Sequence, residues 1–287
     1  MGKNKTPSQR IKREAQRIHR RVEFLLLRKR TKRLWLDLLS KILNTTVNKV
    51  SGQFYVLGDS HSNFFGGTEY INFQPLCEGI NSSSNFIPFV HTFHNGPATA
   101  YNLPDRNSQV KAFQKTEQIV QQGLIPHGSL VMLCFGEIDC RVHLIKQAEL
   151  QQRPLEDVVR SVIENYMTYA DWLANLGFRV ACWGVIASQT GSPSKNKEFA
   201  AHGSEIDRNK VTKIFNLILN EECQLRKFRF CSIFDHLVDA QFRTRTEYIS
   251  SDNCHLSQRA VPLLARVLLD TGILKLKSNG TDVFVNV

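Results

Sequence analysis

Beyond residue 50 the apolar positions fall into short continuous runs, separated by stretches of helical periodicity. The runs are Phe54–Leu57, Leu130–Phe135 ("LVMLCF"), Phe178–Ala187 ("FRVACWGVIA") and Phe228–Phe234 ("FRFCSIF"), with Ile87–Val90 a weaker candidate. Helical stretches lie near 108–122, 155–176, 203–223 and 257–271. Runs that are apolar on both faces and alternate with helices predict a parallel sheet covered on both sides. No internal repeat is visible, which argues against a solenoid. In such sheets the chemistry gathers beyond the carboxyl ends of the strands.

The first 50 residues read differently. Ile11, Ala15, Ile18, Val22 and Leu25 recur at spacings of four and three, with Arg and Lys on the other face. A second apolar cluster follows at Leu34, Trp35, Leu38, Leu39, Ile42 and Leu43. The pattern predicts a helical arm from Pro7 to about Asn44, and the polar stretch Asn44–Gly52 links it to the body. The chain therefore divides into a basic arm, 1–50, and an α/β domain, 51–287. Three roles for the arm stay open. Its stripe packs on the body, or it lies on an anionic membrane surface or protein partner through residues 7–44, or it serves as a nucleic-acid contact or transit peptide. Trp35 and the leucines beside Arg28-Lys29-Arg30 favour the membrane among the last two. The opening Met1-Gly2-Lys3-Asn4-Lys5-Thr6 also fits a myristoylation pattern, to which we give little weight.

Charge sharpens this division. The whole chain carries +11, but residues 1–50 hold 15 Lys/Arg against 3 Asp/Glu, leaving 22 against 23 in the rest. The body is thus nearly neutral, and the overall basicity gives it no reason to bind nucleic acid. Seven cysteines, odd in number and without a CxxC pair, suggest reduced thiols in an intracellular protein. No run approaches the length of a membrane span, and the leader lacks the apolar core of a secretory signal. The expected location is cytoplasmic, at most peripheral to a membrane.

Two stretches carry candidate chemistry. In Val56-Leu57-Gly58-Asp59-Ser60-His61-Ser62, Gly58 allows a tight turn out of the first strand. Ser60 then presents its hydroxyl at a helix start, with its N–H suited to a developing oxyanion. In Ser251-Asp252-Asn253-Cys254-His255-Leu256-Ser257 the spacing lets Asp252 take the Nδ1 proton of His255, leaving Nε2 as a base. Nucleophile, base and orienting carboxylate can meet at one sheet edge.

These blocks resemble those of the SGNH/GDSL hydrolases, esterases and acyltransferases on a three-layer α/β/α, flavodoxin-like fold. The resemblance covers roughly residues 53–272. Gly58-Asp59-Ser60-His61 matches the nucleophile block, with histidine where many members have leucine, and Asp252-Asn253-Cys254-His255 matches the Asp-x-x-His block. It implies Ser60 as nucleophile, His255 as general base and Asp252 as its partner. His94-Asn95-Gly96-Pro97 is similar to the block whose glycine offers an oxyanion N–H, so Gly96 joins the Ser60 N–H in that role. No cofactor or metal is implied. The third block departs from the pattern. Where the family has Gly-x-Asn-Asp this chain reads Gly136-Glu137-Ile138-Asp139-Cys140-Arg141-Val142-His143, and Ile138 cannot donate. Arg141, His143, Asn63 and Asn95 are the candidates to replace that donor or contact substrate, with an Asp139–Arg141 ion pair as the structural alternative. The remaining histidines, His61, His91, His94, His127 and His202, are expected to be structural or solvated. The polar loop Ser188–Lys197 is either a substrate lid or a surface loop.

The expected activity is serine-dependent ester hydrolysis or acyl transfer on an ester-bearing small molecule or glycan, an O-acyl carbohydrate by preference. Two rival readings stand beside it. One is a fold retained for binding or assembly, which Ile138 favours. The other is a metal-dependent phosphoesterase with Asp59 and His61 as ligands and Glu137, Asp139, His143, Asp252 and His255 in reserve, although its usual companion motifs are missing.

Overall fold

The structure is a computed structural model, and it describes residues 30, 32–41, 49–51, 53–68, 73–77, 79–83, 86–87, 89–190, 199–278 and 281–283. Helix α1 covers 32–41, followed by strands β1 (Lys49–Ser51), β2 (Phe54–Gly58), β3 (Phe73–Cys77), β4 (Ile80–Ser83) and β5 (Val90–His94). Then come α2 (Ala112–Gln121), β6 (Leu130–Cys134), α3 (Leu144–Gln151), α4 (Leu155–Asn175), β7 (Arg179–Trp183) and α5 (Glu205–Arg226). The chain closes with β8 (Arg229–Cys231), α6 (Phe234–Leu237), α7 (Val261–Asp270), β9 (Lys275–Ser278) and β10 (Thr281–Val283).

Seven strands form the main sheet in the order β3-β4-β5-β2-β6-β7-β8. The five strands from β5 to β8 run parallel, with β4 and β3 added antiparallel at one edge. Among the parallel strands the first in sequence lies between the second and third, the flavodoxin-like order with its switch point at β2. The chain has the three-layer α/β/α fold expected of an SGNH-type domain.

Alternation along each strand explains the layering. Tyr55 and Leu57 of β2, Val131 and Leu133 of β6, and Val180 and Cys182 of β7 enter one core with α2, α4 and α5. Phe54 and Val56, then Leu130, Met132 and Cys134, then Ala181 and Trp183 enter the other core with α1 and α7. A strand with successive side chains on opposite faces can be apolar throughout only when both faces are covered.

Several boundaries differ from those read in the sequence. The run Phe178–Ala187 is strand only to Trp183; the Gly184 N–H still donates to Cys231 O of β8 at 2.7 Å, but from Val185 onward the chain is a loop bonded to α5. Asn216 brackets Val185 from both sides, donating to its carbonyl at 2.8 Å and accepting from its N–H at 2.7 Å. The candidate at 87–90 is the approach to β5, which pairs with β2 from Phe54↔Val90 to Gly58↔His94. The hairpin β3–β4 carries little apolar alternation, and neither it nor α3 stands out in the sequence.

The arm is seated on the body where it is described. Trp35 and Leu39 are buried in the second core, and the Trp35 ring meets Phe89 edge-on at 5.0 Å. Each such side chain contributes about 1.5–3 kcal/mol on burial, enough to hold a helix too short to persist alone. Trp35 is therefore a core residue rather than a membrane anchor, while Leu34 remains exposed. The stripe from Ile11 to Leu25, the residues Ile42 and Leu43, and the myristoylation pattern lie outside the described residues. Antiparallel pairing of β1 with β9, and of β9 with β10, joins the start of the body to its end in a second, three-stranded sheet.

Candidate active site

The first catalytic candidate sits where β2 stops. Gly58 has no room for a side chain, since a Cβ would stand 2.7 Å from both the Cys134 carbonyl and the Ser62 Cβ. The chain turns at once into a short 3-10 helix, Ser60–Gly66, capped by Asp59, whose carboxylate accepts the His61 N–H at 2.9 Å. Ser60 is the first residue of that helix.

His255 reaches the same point from the far end of the chain. An antiparallel bridge between Ile249 and Leu256 closes its loop, and Asn253 takes the left-handed conformation (φ 61°) that asparagine tolerates. Asp252 Oδ1 accepts the N–H groups of Cys254 and His255, each at 2.9 Å, and the Ser250 hydroxyl at 2.7 Å. Its Oδ2 lies 2.6 Å from His255 Nδ1, and His255 Nε2 lies 2.8 Å from Ser60 Oγ. Burial opposes ionisation of Asp252, but the hydrogen bonds from His255 and Ser250 prevail and hold it well below the usual carboxylate range. An anionic Asp252 keeps the proton on Nδ1, so Nε2 offers its lone pair to the serine.

Register places the oxyanion candidates. Gly58 pairs with His94 on one side and Cys134 on the other, so Ser60, Gly96 and Gly136 each lie two residues past the same level of three adjacent strands. The Asn95 N–H donates to Gly58 O at 2.8 Å and fastens two of these turns together, while the Ser60 and Gly96 N–H groups have no turn acceptor among the described residues. Gly96 has φ of 89°, a region closed to most side chains, and Gly136, with φ of 107°, would also press a Cβ to 2.8 Å from Phe215. Beyond Gly136 a π-helical turn, Asp139–His143, leads into α3.

Most of the candidates to replace the missing donor are engaged with other partners. The Asn95 amide is fully buried and spends its donors on Ala112 O (3.0 Å) and Thr116 Oγ1 (2.6 Å) of α2. Asn63 donates to Thr68 within its own turn. Arg141 forms a buried two-pronged pair with Glu137, at 2.6 and 3.0 Å, and its remaining arm donates to Phe199 O at 2.5 Å. Its partner is thus Glu137, four residues back, and not Asp139. Asp139 instead accepts the N–H groups of Ala100 (2.7 Å) and Tyr101 (3.2 Å), with burial pushing its carboxyl up to about 6. His143 lines a cavity of about 520 Å³ together with Tyr101, Asn102, Asp139 and Asn165, a lining that includes neither Ser60 nor His255. Ile138 is buried and apolar at the asparagine's place.

His61, expected to be structural or solvated, packs on His255. Its ring packs against His255 at 4.4 Å between centroids, tilted by 32°, and its Nε2 lies 3.1 Å from Glu137. Glu137 is buried; burial disfavours its charge, but His61 and Arg141 outweigh this and hold it far below the usual range. The Glu-x-x-x-Arg spacing of Glu137 and Arg141 was the one sequence signal for this group. The Asp59-centred metal set does not assemble. Among the described residues His61, Cys254 and His255 are the one group of three metal-capable side chains close enough to share an ion, and Asp59 is not in it.

Complete burial pushes the Asp59 carboxyl up to about 8, and its Oδ2 has no hydrogen-bond partner. The folded state then holds a proton that the unfolded chain releases near pH ~4, so this group weakens stability as pH rises from about 4 to about 8. Between about pH 5 and 8, Asp59→Asn is therefore expected to lose less melting temperature than the wild type. Parallel thermal melts check this, and equal slopes would show that Asp59 is ionised when folded.

The loop after β7 is anchored at its start. Arg208 donates to Ser188 Oγ (2.7 Å) and Gln189 O (3.0 Å), and Thr190 N–H reaches Asn253 O at 3.3 Å beside the His255 turn. Residues 191–197 of the candidate lid lie outside the described residues.

No protein-family model matches the chain, and no curated protein matches it. Among solved structures it is similar to a psychrotrophic esterase from Pseudoalteromonas sp., at 12% identity over 78% of this chain and 97% of the other, with a TM-score of 0.41. A carbohydrate acetylesterase from Sinorhizobium meliloti matches at 15% identity, covering 77% of this chain and 99% of the other, with a TM-score of 0.42. The OSK domain of Drosophila Oskar matches at 10% identity over 76% and 87% of the two chains, with a TM-score of 0.45. At such identities and scores, the chemistry must be argued from this chain's own side chains.

Proposed function

We propose that this protein is a serine-dependent ester hydrolase or acyltransferase acting on O-acylated carbohydrate. The continuous hydrogen-bond chain Ser60–His255–Asp252, at 2.8 and 2.6 Å, carries the reading. Three residues from opposite ends of the domain meet in the order nucleophile, base, orienter, an arrangement a binding scaffold has no need to keep. Ser60 Oγ attacks the acyl carbonyl while His255 Nε2 takes its proton. The Ser60 and Gly96 N–H groups receive the developing oxyanion. His255 then gives the proton to the departing alcohol, leaving acyl-Ser60 for water or an acceptor hydroxyl.

The carbohydrate preference is supported by the cavity of about 520 Å³, lined by Tyr101, Asn102, Gln147, Arg153, Glu164 and Asn165 among others. Its volume suits a sugar-sized ligand, its amides and charges suit hydroxyls, and Tyr101 presents an exposed ring for stacking. The Asp139 carboxylate ties the Ala100-Tyr101 loop of that cavity to the turn following Ile138.

Intact-mass analysis after treatment with a fluorophosphonate tests the chemistry. One adduct is expected on the wild type and none on Ser60→Ala. No adduct on folded wild type would remove the enzyme reading and favour a binding role. A panel of acetylated sugars and acyl lipids then tests the substrate class. Tyr101→Ala is expected to raise KM for an acetylated sugar about tenfold with little change in labelling rate, and preferential turnover of lipids would overturn the carbohydrate assignment.

A further inference from the structure

We propose that His61, Cys254 and His255 form an inhibitory binding site for a soft divalent cation of the zinc class. The inference rests on the hydrolase reading for its consequence, but the site itself stands on separate observations. One ligand atom from each of the three residues lies within 4.8 Å of the others. Ligands around a tetrahedral zinc stand about 3.3–3.8 Å apart, so small side-chain adjustments bring the three onto one ion.

The two imidazoles are prepared in the way metal ligands are. Each has one nitrogen held by a carboxylate: His255 Nδ1 by Asp252 at 2.6 Å, and His61 Nε2 by Glu137 at 3.1 Å. Such a contact fixes the proton on the bonded nitrogen and leaves the other as a lone pair, the arrangement that orients histidine toward a metal. For His255 the free nitrogen is Nε2, which faces Ser60. For His61 it is Nδ1, which is buried without a hydrogen-bond partner in a side chain only 7% exposed. A buried, unpartnered nitrogen costs free energy that a bound cation would recover.

Cys254 supplies the soft ligand. Its Sγ is half-buried and free, and nothing in the serine chemistry uses it, because the turn needs only its backbone N–H. Two imidazoles and a thiolate select zinc over magnesium or calcium, leaving the fourth position to water. Cation binding takes His255 Nε2 away from Ser60 and so switches off the nucleophile, reversibly and without covalent change.

The test uses full-length, tag-free protein, first stripped with a chelator. Cobalt(II) is the spectroscopic probe, and zinc is titrated against the rate of fluorophosphonate labelling. The expected results are one cobalt per chain with a thiolate charge-transfer band in the near ultraviolet, and labelling slowed at least about tenfold by equimolar zinc and restored by chelator. In Cys254→Ser the band should vanish, and the ratio of labelling rates without and with zinc should fall to near one. His61→Gln should weaken cobalt binding at least about tenfold. A missing thiolate band, or binding that survives both substitutions, would overturn the site. Faster labelling with zinc would overturn its inhibitory role. Should the metal-free protein not label at all, the hydrolase reading fails while the cobalt spectrum still decides the site.

Discussion

Ser60→Ala and His255→Ala are each expected to lower kcat by at least about 10⁴-fold, with KM for the same ester little changed. The basis is the geometry at Ser60. Its hydroxyl has a single described partner, His255 Nε2, at 2.8 Å, and without that base a serine hydroxyl is a poor nucleophile near neutral pH. Because the two groups act as a unit, Ser60→Ala/His255→Ala should cost little more than either change alone. Asp252→Asn should also cost several orders of magnitude. An amide in that place no longer holds the Nδ1 proton, although the Cys254 and His255 N–H bonds to Oδ1 can persist. Initial-rate kinetics on the substrate found in the acyl-ester panel provide the check. Near-additive losses, or a His255→Ala enzyme within tenfold of wild type, would mean that another group activates Ser60.

Arg141→Ala is expected to destabilise the fold by about 3–5 kcal/mol, one of the larger effects available to a single substitution. Removing the guanidinium leaves Glu137 buried with only His61 as a charge partner, and frees the Phe199 carbonyl. Midpoints of urea denaturation, with unchanged slope, measure the loss. The double replacement Glu137→Gln/Arg141→Met should cost less than the two single changes combined, since no uncompensated charge stays behind. His61 and Arg141 hold the Glu137 pKa below that of an unfolded carboxylate, so its stabilising share is present above the unfolded pKa and is lost as pH falls toward the folded one. A loss below about 1 kcal/mol for Arg141→Ala would imply that water enters and solvates Glu137. Turnover that falls only in proportion to the folded fraction would confirm that Arg141 acts through structure and not on the oxyanion.

This second result bears on the absent third-block asparagine. Ile138 is buried and apolar, and three of the four polar residues nominated to replace the amide are committed elsewhere. Asn95 serves α2, Asn63 its own turn and Arg141 its glutamate, while His143 lines the cavity proposed for the sugar and can meet substrate there. On the proposed reading, the oxyanion is left with the two backbone donors of Ser60 and Gly96. Loss of one oxyanion donor typically costs on the order of 10²–10³ in rate, so a modest kcat is the natural expectation for this chain.

The sequence by itself determined the layered architecture and nominated Ser60, Asp252 and His255, which the fold brings into one hydrogen-bond chain. Continuous apolar strands separated by amphipathic helices admit few arrangements other than a covered parallel sheet. Ser60 and the Asp252–His255 spacing are legible because nucleophile, base and orienter need fixed residue types next to strand ends. The hairpin β3–β4 was not legible, since it is an edge addition with little apolar alternation. The early stop of β7 at Trp183 was hidden because buried loop and buried strand are equally apolar, and the asparagines of α5 that hold this loop lie 31 and 21 residues downstream of the groups they bond. Tertiary structure alone decided which polar side chains spend their hydrogen bonds internally. It made Arg141 a partner of Glu137, seated Trp35 against Phe89, and set the His61 ring against His255. Residue type states what a side chain can donate or accept. Only packing decides which partner is near enough, and dry enough, to claim it.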